Sequence, residues 1–355
     1  MFDIEKIIRP NIKKLQPYSS ARDEFSGTAS IYLDANENSY GSPLPQPYNR
    51  YPDPLQSRLK QKIASVKGVP PAHIFLGNGS DECIDLLFRA FCNPGKDNVI
   101  ICPPTYGMYE VSAHINDIEP RKVSLTPEFQ LDIDAIAEAV DRNTRLVFLC
   151  SPNNPTGNSV DPQDVEMILN NFDGLVVIDE AYINFSSRPS FISELTEYPN
   201  LVVLQTLSKA WGLAALRIGM AFSSLPVVEV LNKIKAPYNI GQASQELALE
   251  ALDNLEQVNA WTLKLVEQRK KLAAALGQLP SVLHIYPSDA NFLLVRMEGS
   301  RKIYEALVNK GIIVRDRGRV LLCEGCLRIT VGQEQENEAL LKAIREIGEG
   351  KADIA

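Results

Sequence analysis

No stretch of this chain approaches the ~18 consecutive apolar residues that span a bilayer. The opening Met1-Phe-Asp-Ile-Glu-Lys-Ile-Ile8 also lacks the apolar core of a secretory signal. No membrane association is expected, and the compartment that fits is cytoplasmic. Positive charge is in short supply: 36 Lys and Arg stand against 44 Asp and Glu, a formal net charge of -8. Nucleic acid or an anionic membrane surface would need a basic face to offset phosphate charge, so neither is expected as a partner. Any anion bound here must be held by a local cluster. There are three histidines and six cysteines, and the lone CxxC, Cys323-Glu-Gly-Cys326, has no second CxxC or His pair at metal spacing. That argues against a metal site, and the absence of a following redox helix argues against thioredoxin chemistry. Cys102 and Cys150 sit in apolar runs and read as small buried hydrophobes. Internal repeats and low-complexity tracts are absent too. So is a Gly-x-Gly-x-x-Gly turn after the first strand, which removes a nicotinamide reading.

What is present is an alternation of short β-branched runs with amphipathic segments from about residue 73, the pattern of βαβ units. Candidate strands are His73-Ile-Phe-Leu76, Val99-Ile-Ile-Cys102, Arg145-Leu-Val-Phe-Leu-Cys150, Leu175-Val-Val-Ile178, Leu201-Val-Val-Leu204 and Ile218-Gly-Met-Ala-Phe222. Nearly all are apolar on both faces, as in a mostly parallel sheet covered by helices on either side. The expected class is therefore three-layer α/β/α. At 355 residues and roughly 150 residues per domain, two domains are expected. An N-terminal arm takes 1–40 and a large domain 41–240. A connecting helical stretch spans 241–280, long and free of Pro and Gly from Gln242 to Leu276, and a smaller α+β domain with a second βαβ-like pattern takes 281–355.

Ligands collect at the carboxyl ends of parallel strands, so the residues after each run carry the chemistry. Lys209 follows Leu201-Val-Val-Leu204, where desolvation would leave its amine nucleophilic. Thr206 and Ser208 precede it, and Arg217 follows at a spacing of two helical turns, all donors for a dianion. Asp179 ends a buried strand, where an ionised carboxylate needs a cation such as a protonated pyridine nitrogen, and Tyr182 lies three residues on. Ser151-Pro-Asn-Asn154-Pro155-Thr-Gly157 packs turn formers after another strand and suits Asn154 to donate to a ring oxygen. Gly77-Asn-Gly79-Ser80-Asp81-Glu82 opens a helix, and its N-terminus is either a phosphate cradle or an ordinary capped start. Tyr106, in Pro-Pro-Thr-Tyr106-Gly-Met-Tyr109, offers a flat face for a heteroaromatic ring. Together these describe a site for pyridoxal 5'-phosphate.

With these motifs in hand, the chain resembles the fold-type I pyridoxal-phosphate aminotransferases, and is more closely similar to the histidinol-phosphate aminotransferase branch. Further matches are Pro17-Tyr18-Ser-Ser-Ala-Arg22, Leu33-Asp-Ala-Asn36-Glu-Asn38, Arg50-Tyr51-Pro-Asp, Gly311-Ile-Ile-Val-Arg315-Asp and Cys326-Leu-Arg328-Ile-Thr-Val-Gly332. After Asn38 the branch commonly continues with proline, where this chain has Ser39-Tyr40-Gly41. The resemblance implies that Lys209 holds the cofactor as a Schiff base, that Asp179 pairs with its ring nitrogen, and that Asn154 and Tyr182 bind its hydroxyl. It implies Gly79, Ser80, Asp81, Thr206, Ser208 and Arg217 around the cofactor phosphate, with Tyr51 reaching in from the partner subunit of a homodimer. Arg328 would receive the substrate's anionic group, aided by Tyr18, Asn36 and Arg315. The implied reaction is transamination between L-histidinol phosphate and 2-oxoglutarate. Threonine-phosphate decarboxylases and aromatic aminotransferases share every cofactor residue and stand as the alternative.

Overall fold

Strands that are apolar on both faces organise the molecule, and in the computed structural model, which describes residues 2–18 and 29–349, they form the middle of a seven-stranded sheet. Its strands are β1 (Ile74–Asn78), β2 (Asn98–Ile101), β3 (Glu119–Lys122), β4 (Thr144–Cys150), β5 (Leu175–Asp179), β6 (Leu201–Thr206) and β7 (Ile218–Ser223), in spatial order β1-β7-β6-β5-β4-β2-β3. Pairing is parallel from β3 to β6, whereas β7 runs antiparallel to both β6 and β1. The period-2 alternation divides the core. Val176 and Ile178 pack on one face with Val203, Ile218 and Leu59, while Leu175 and Val177 pack on the other with Phe88, Phe148 and Val202. Each such side chain stabilises the fold by roughly 1.5–3 kcal/mol through burial. β3, Glu-Pro-Arg-Lys, carries no apolar run because it is the sheet's edge, where Pro and charges are tolerated.

Two expectations change in the C-terminal half. The stretch 242–276 is not one helix but two, Gln242–Leu252 and Leu255–Leu276, broken at Asp253-Asn254, poor helix formers of which Asn254 (φ -101, ψ 33) starts the second. The second sheet is also not a βαβ array. Its strands β8 (Val282–Ile285), β9 (Phe292–Met297), β10 (Arg315–Asp316) and β11 (Cys326–Thr330) pair antiparallel throughout, in the order β10-β11-β9-β8. The helix Ser300–Asn309 leads from β9 to β10, but β11 folds back between them, so no parallel pair forms. The helices Ser300–Asn309 and Glu334–Gly348 and the end of Leu255–Leu276 bury the core of this smaller unit, around Leu293, Val295, Leu307, Leu327 and Ile344. Tyr182, Phe185, Ala210, Ala290 and Phe292 form a further cluster between the two sheets. Arg22 of the arm motif and residues 350–355 lie outside the described residues.

Candidate active site

β1, β4, β5 and β6 each end at one cleft of about 570 Å3, a size suited to a small organic ligand. It is lined by Gly79, Ser80, Asp81, Tyr106, Asn154, Asp179, Tyr182, Thr206, Ser208, Lys209 and Arg217 from the large unit and by Arg315 and Arg328 from the small one. A roomier hollow of about 680 Å3, lined by Lys67, His73, Arg188 and Gln205 among others, contains none of these groups.

The helix Gly79–Phe91 begins at the end of β1, and its N-cap Asn78 makes no side-chain capping bond, so the ordinary cap is not what forms here. Its first-turn N–H groups and positive dipole end stand beside the cleft. Two glycines allow this. A Cβ on Gly79 (φ +74) would sit 2.5 Å from Arg217 Nη2, and one on Gly219 would sit 2.1 Å from Ser80 N. Gly79 N donates to Arg217 O at 2.7 Å, which fixes the arginine over the helix start. From Lys209 to Arg217 the chain does not make two helical turns. Leu213 N returns to Leu207 O, Gly212 takes φ +68, and one 3-10 turn, Ala214–Leu216, ends at Arg217 in the left-handed region (φ 54). Thr206 Oγ1 lies 3.0 Å from Ser208 Oγ and accepts from Ser208 N at 3.0 Å, tying the two hydroxyls to one turn.

Asp179 is 2% exposed. Its Oδ2 accepts from Tyr109 Oη at 2.8 Å and its Oδ1 from Ala181 N at 3.0 Å. Burial outweighs those two bonds and raises its pKa, with Asp81 adding to the rise and Lys209 opposing it. A buried carboxylate with neutral donors only is one that a cation entering the cleft would stabilise. Lys209 opens onto the cleft with its Nζ 5.5 Å from the Tyr182 ring centre. Its pKa is lowered, first by desolvation and next by Arg328, against the pull of Asp179 and Asp81. Asp81 accepts from Tyr106 Oη at 3.0 Å and lies 3.4 Å from Arg217 Nη2, so it orients both. Arg328 Nη1 donates to Asn154 Oδ1, and its guanidinium lies 5.3 Å from the Phe292 ring centre. The Asn154-Pro155 peptide is cis.

Three expected residues stand elsewhere in their own chain. Asn36 and Tyr51 line a separate hollow with Glu37, Arg50 and Gln242, where Tyr51, 51% exposed, stacks on Tyr238 at 4.5 Å. Tyr18 is 74% exposed. Two residues that sequence reasoning passed over belong to the site. Tyr109, fully buried and stacked on Phe148 at 4.9 Å, holds Asp179, and its place three residues after Tyr106 in the same segment was the available signal. Arg317 also lines the cleft, two positions beyond Arg315.

These residues fit pyridoxal phosphate. A helix start without a side-chain cap and with an arginine over it suits a phosphate, the buried Asp179 a ring cation, and the cleft-facing Lys209 amine, its pKa lowered, an aldehyde. The fold and this constellation define a transaminase-type enzyme, and the chain belongs to the aminotransferase class I and II family, whose match spans residues 34–344. Within it the chain stands with the histidinol-phosphate aminotransferases. It is 55% identical to that of Cytophaga hutchinsonii over 97% of this chain and 99% of the relative. It is 54% identical to that of Parabacteroides distasonis, again over 97% and 99%. Among solved structures, the Sinorhizobium meliloti histidinol-phosphate aminotransferase in complex with pyridoxal-5'-phosphate superposes with a TM-score of 0.78 at 27% identity, covering 89% of this chain and 90% of that one.

Proposed function

We propose that this chain is a pyridoxal-phosphate-dependent transaminase that moves the amino group of L-histidinol phosphate to 2-oxoglutarate, giving imidazole-acetol phosphate and glutamate. The observation that carries the reading is the joining, in one cleft, of a desolvated lysine, a buried aspartate and arginines contributed by the second sheet. When bound, pyridoxal phosphate supplies the aldehyde that carries the amino group and a protonated ring that takes up the electron pair left at the substrate carbon. Lys209 would hold it covalently and then move the proton at Nζ, as base and as acid. Asp179, positioned by Tyr109, would keep the ring nitrogen protonated. Asn154, with its Oδ1 occupied by Arg328, keeps its Nδ2 for the ring oxygen alongside Tyr182, and Tyr106 would cover the ring face. The Ser80 N–H, the Ser80, Thr206 and Ser208 hydroxyls and Arg217 would surround the cofactor phosphate, with Gly79, whose own N–H is taken by Arg217 O, giving the room for its approach. Asp81 acts there by positioning Tyr106 and Arg217. Arg328 and Arg315 would receive the substrate's anion, since a guanidinium fork pairs with phosphate or carboxylate alike.

Arg328→Ala is expected to raise the KM for both substrates by roughly 10–100-fold, the range for lost charged hydrogen bonds, while cofactor survives dialysis. Equal losses of substrate and cofactor would remove Arg328 from this role. The threonine-phosphate decarboxylase alternative predicts release of CO2 from threonine phosphate, and an aromatic aminotransferase predicts amino transfer from phenylalanine. The reading expects neither.

The same proposal makes the working form a cytoplasmic homodimer. Tyr51, Asn36 and Tyr18 lie outside the cleft of their own chain and are exposed or line another hollow, as residues serving a neighbour's site would. In subunits mixed from Lys209→Ala and Tyr51→Ala parents, one site in each hybrid dimer keeps both residues. Activity above that of either parent is expected, and its absence would keep Tyr51 with its own chain.

A further inference from the structure

The β10–β11 pair and the residue that follows β10 set three arginines on one face. Arg315 lies directly across from Arg328 in the β10–β11 register, so both side chains leave the same side of the sheet. Arg317 continues the line of β10 two residues on, its N donating to Cys326 O at 2.9 Å, and the alternation of an extended chain returns it to that side. Asp316 between them faces away and pairs with Arg301 at 3.2 Å. Val320 N closes on Arg317 O at 2.8 Å, so the backbone carrying this guanidinium is pinned at both ends. Among the described residues none of the three arginines pairs with a carboxylate, and Arg317 Nε is buried without a partner. Arg317 sits close enough to depress the Arg328 pKa after desolvation, an arrangement of like charges that an anion would relieve.

We infer that Arg317 determines specificity for the amino donor by gripping its phosphate monoester dianion together with Arg315 and Arg328. This rests on the transaminase reading above and extends it to a residue that resemblance did not supply. A carboxylate is satisfied by a single fork. A phosphate has three terminal oxygens and nearly two charges, and can engage the additional guanidinium. Arg317 would therefore favour the phosphorylated donor over glutamate within one cleft.

The test compares wild type with Arg317→Ala and Arg317→Lys, each checked for unchanged cofactor absorbance and melting temperature. In Arg317→Ala the KM for L-histidinol phosphate is expected to rise roughly 10–100-fold with kcat and the KM for glutamate little changed, a loss of binding confined to the phosphate. Arg317→Lys should recover part of that loss, since a point charge replaces the fork. In parallel, inorganic phosphate is used as an inhibitor competing with glutamate, and its inhibition should weaken in Arg317→Ala by a comparable factor. Unchanged KM and unchanged phosphate inhibition would overturn the assignment, as would equal KM increases for both substrates. If wild type does not use L-histidinol phosphate at all, the substrate reading fails, and the inorganic phosphate arm still decides the role of Arg317.

Discussion

Lys209→Ala is expected to leave a folded protein whose turnover falls by about 10⁴-fold or more, because one amine supplies both the covalent attachment and the proton transfers. The fold does not depend on it: the side chain opens onto the cleft, and the turn around it is held by Gly212 N to Lys209 O and Leu213 N to Leu207 O, bonds that survive truncation. Borohydride treatment followed by peptide mass analysis should place the cofactor's mass on the Lys209 peptide of wild type and on no peptide of the variant. Turnover within tenfold of wild type would sink the assignment. The electrostatics add a second check. Lys209 loses its proton more readily than an ordinary lysine, first because it is desolvated and then because Arg328 is near. The rate at which apo-protein reattaches the cofactor should therefore rise with pH through a value below the usual ~10.4. Removing the Arg328 charge withdraws one of the lowering influences, so in Arg328→Ala that limb should move to higher pH.

The legibility of this site in the sequence follows from how the fold presents it. Buried parallel strands write themselves as β-branched runs, and the chemistry stands where each run ends: Asp179 after Leu175-Val-Val-Ile178, Lys209 just beyond β6, Asn154 beyond β4. What stayed hidden was set by pairing and not by pattern. β3 is an edge strand of polar residues, and nothing local says that β11 inserts between β9 and β10. The break at Asp253-Asn254 costs too little in a helical stretch to stand out beside Ala- and Leu-rich flanks. Tyr109 and Arg317 escaped for a related reason. One matters through a bond to Asp179, 70 positions away, and the other through a strand of only two residues whose face is fixed by its partner.

Asp179→Asn should separate catalysis from stability, because the two move in opposite directions. Catalysis is expected to drop by about 10²–10³-fold, the scale of removing one preorganised charge from a water-poor site, since an amide cannot keep a ring nitrogen protonated. The apo-protein should lose nothing at neutral pH. Asp179 is buried, its partners are the neutral Tyr109 hydroxyl and the Ala181 N–H, and desolvation raises its pKa in the folded state. A carboxylate whose folded pKa lies above its unfolded value binds its proton more tightly when folded. Its stabilising influence is then complete below the unfolded pKa, near ~3.9, and is lost as pH rises through the interval up to the raised folded value. Above that interval wild-type apo-protein carries an uncompensated buried charge, which the neutral amide of the variant does not. Thermal melts of apo-protein should therefore show the variant at least as stable as wild type at about pH 7–8, with wild type gaining on it as pH falls through that interval. Bound cofactor should reverse the order at neutral pH, because its ring cation compensates the aspartate and not the amide. A variant that is less stable as apo-protein at neutral pH, by the same margin as with cofactor, would mean that Asp179 serves the sheet through Tyr109 and Ala181 and not the ring.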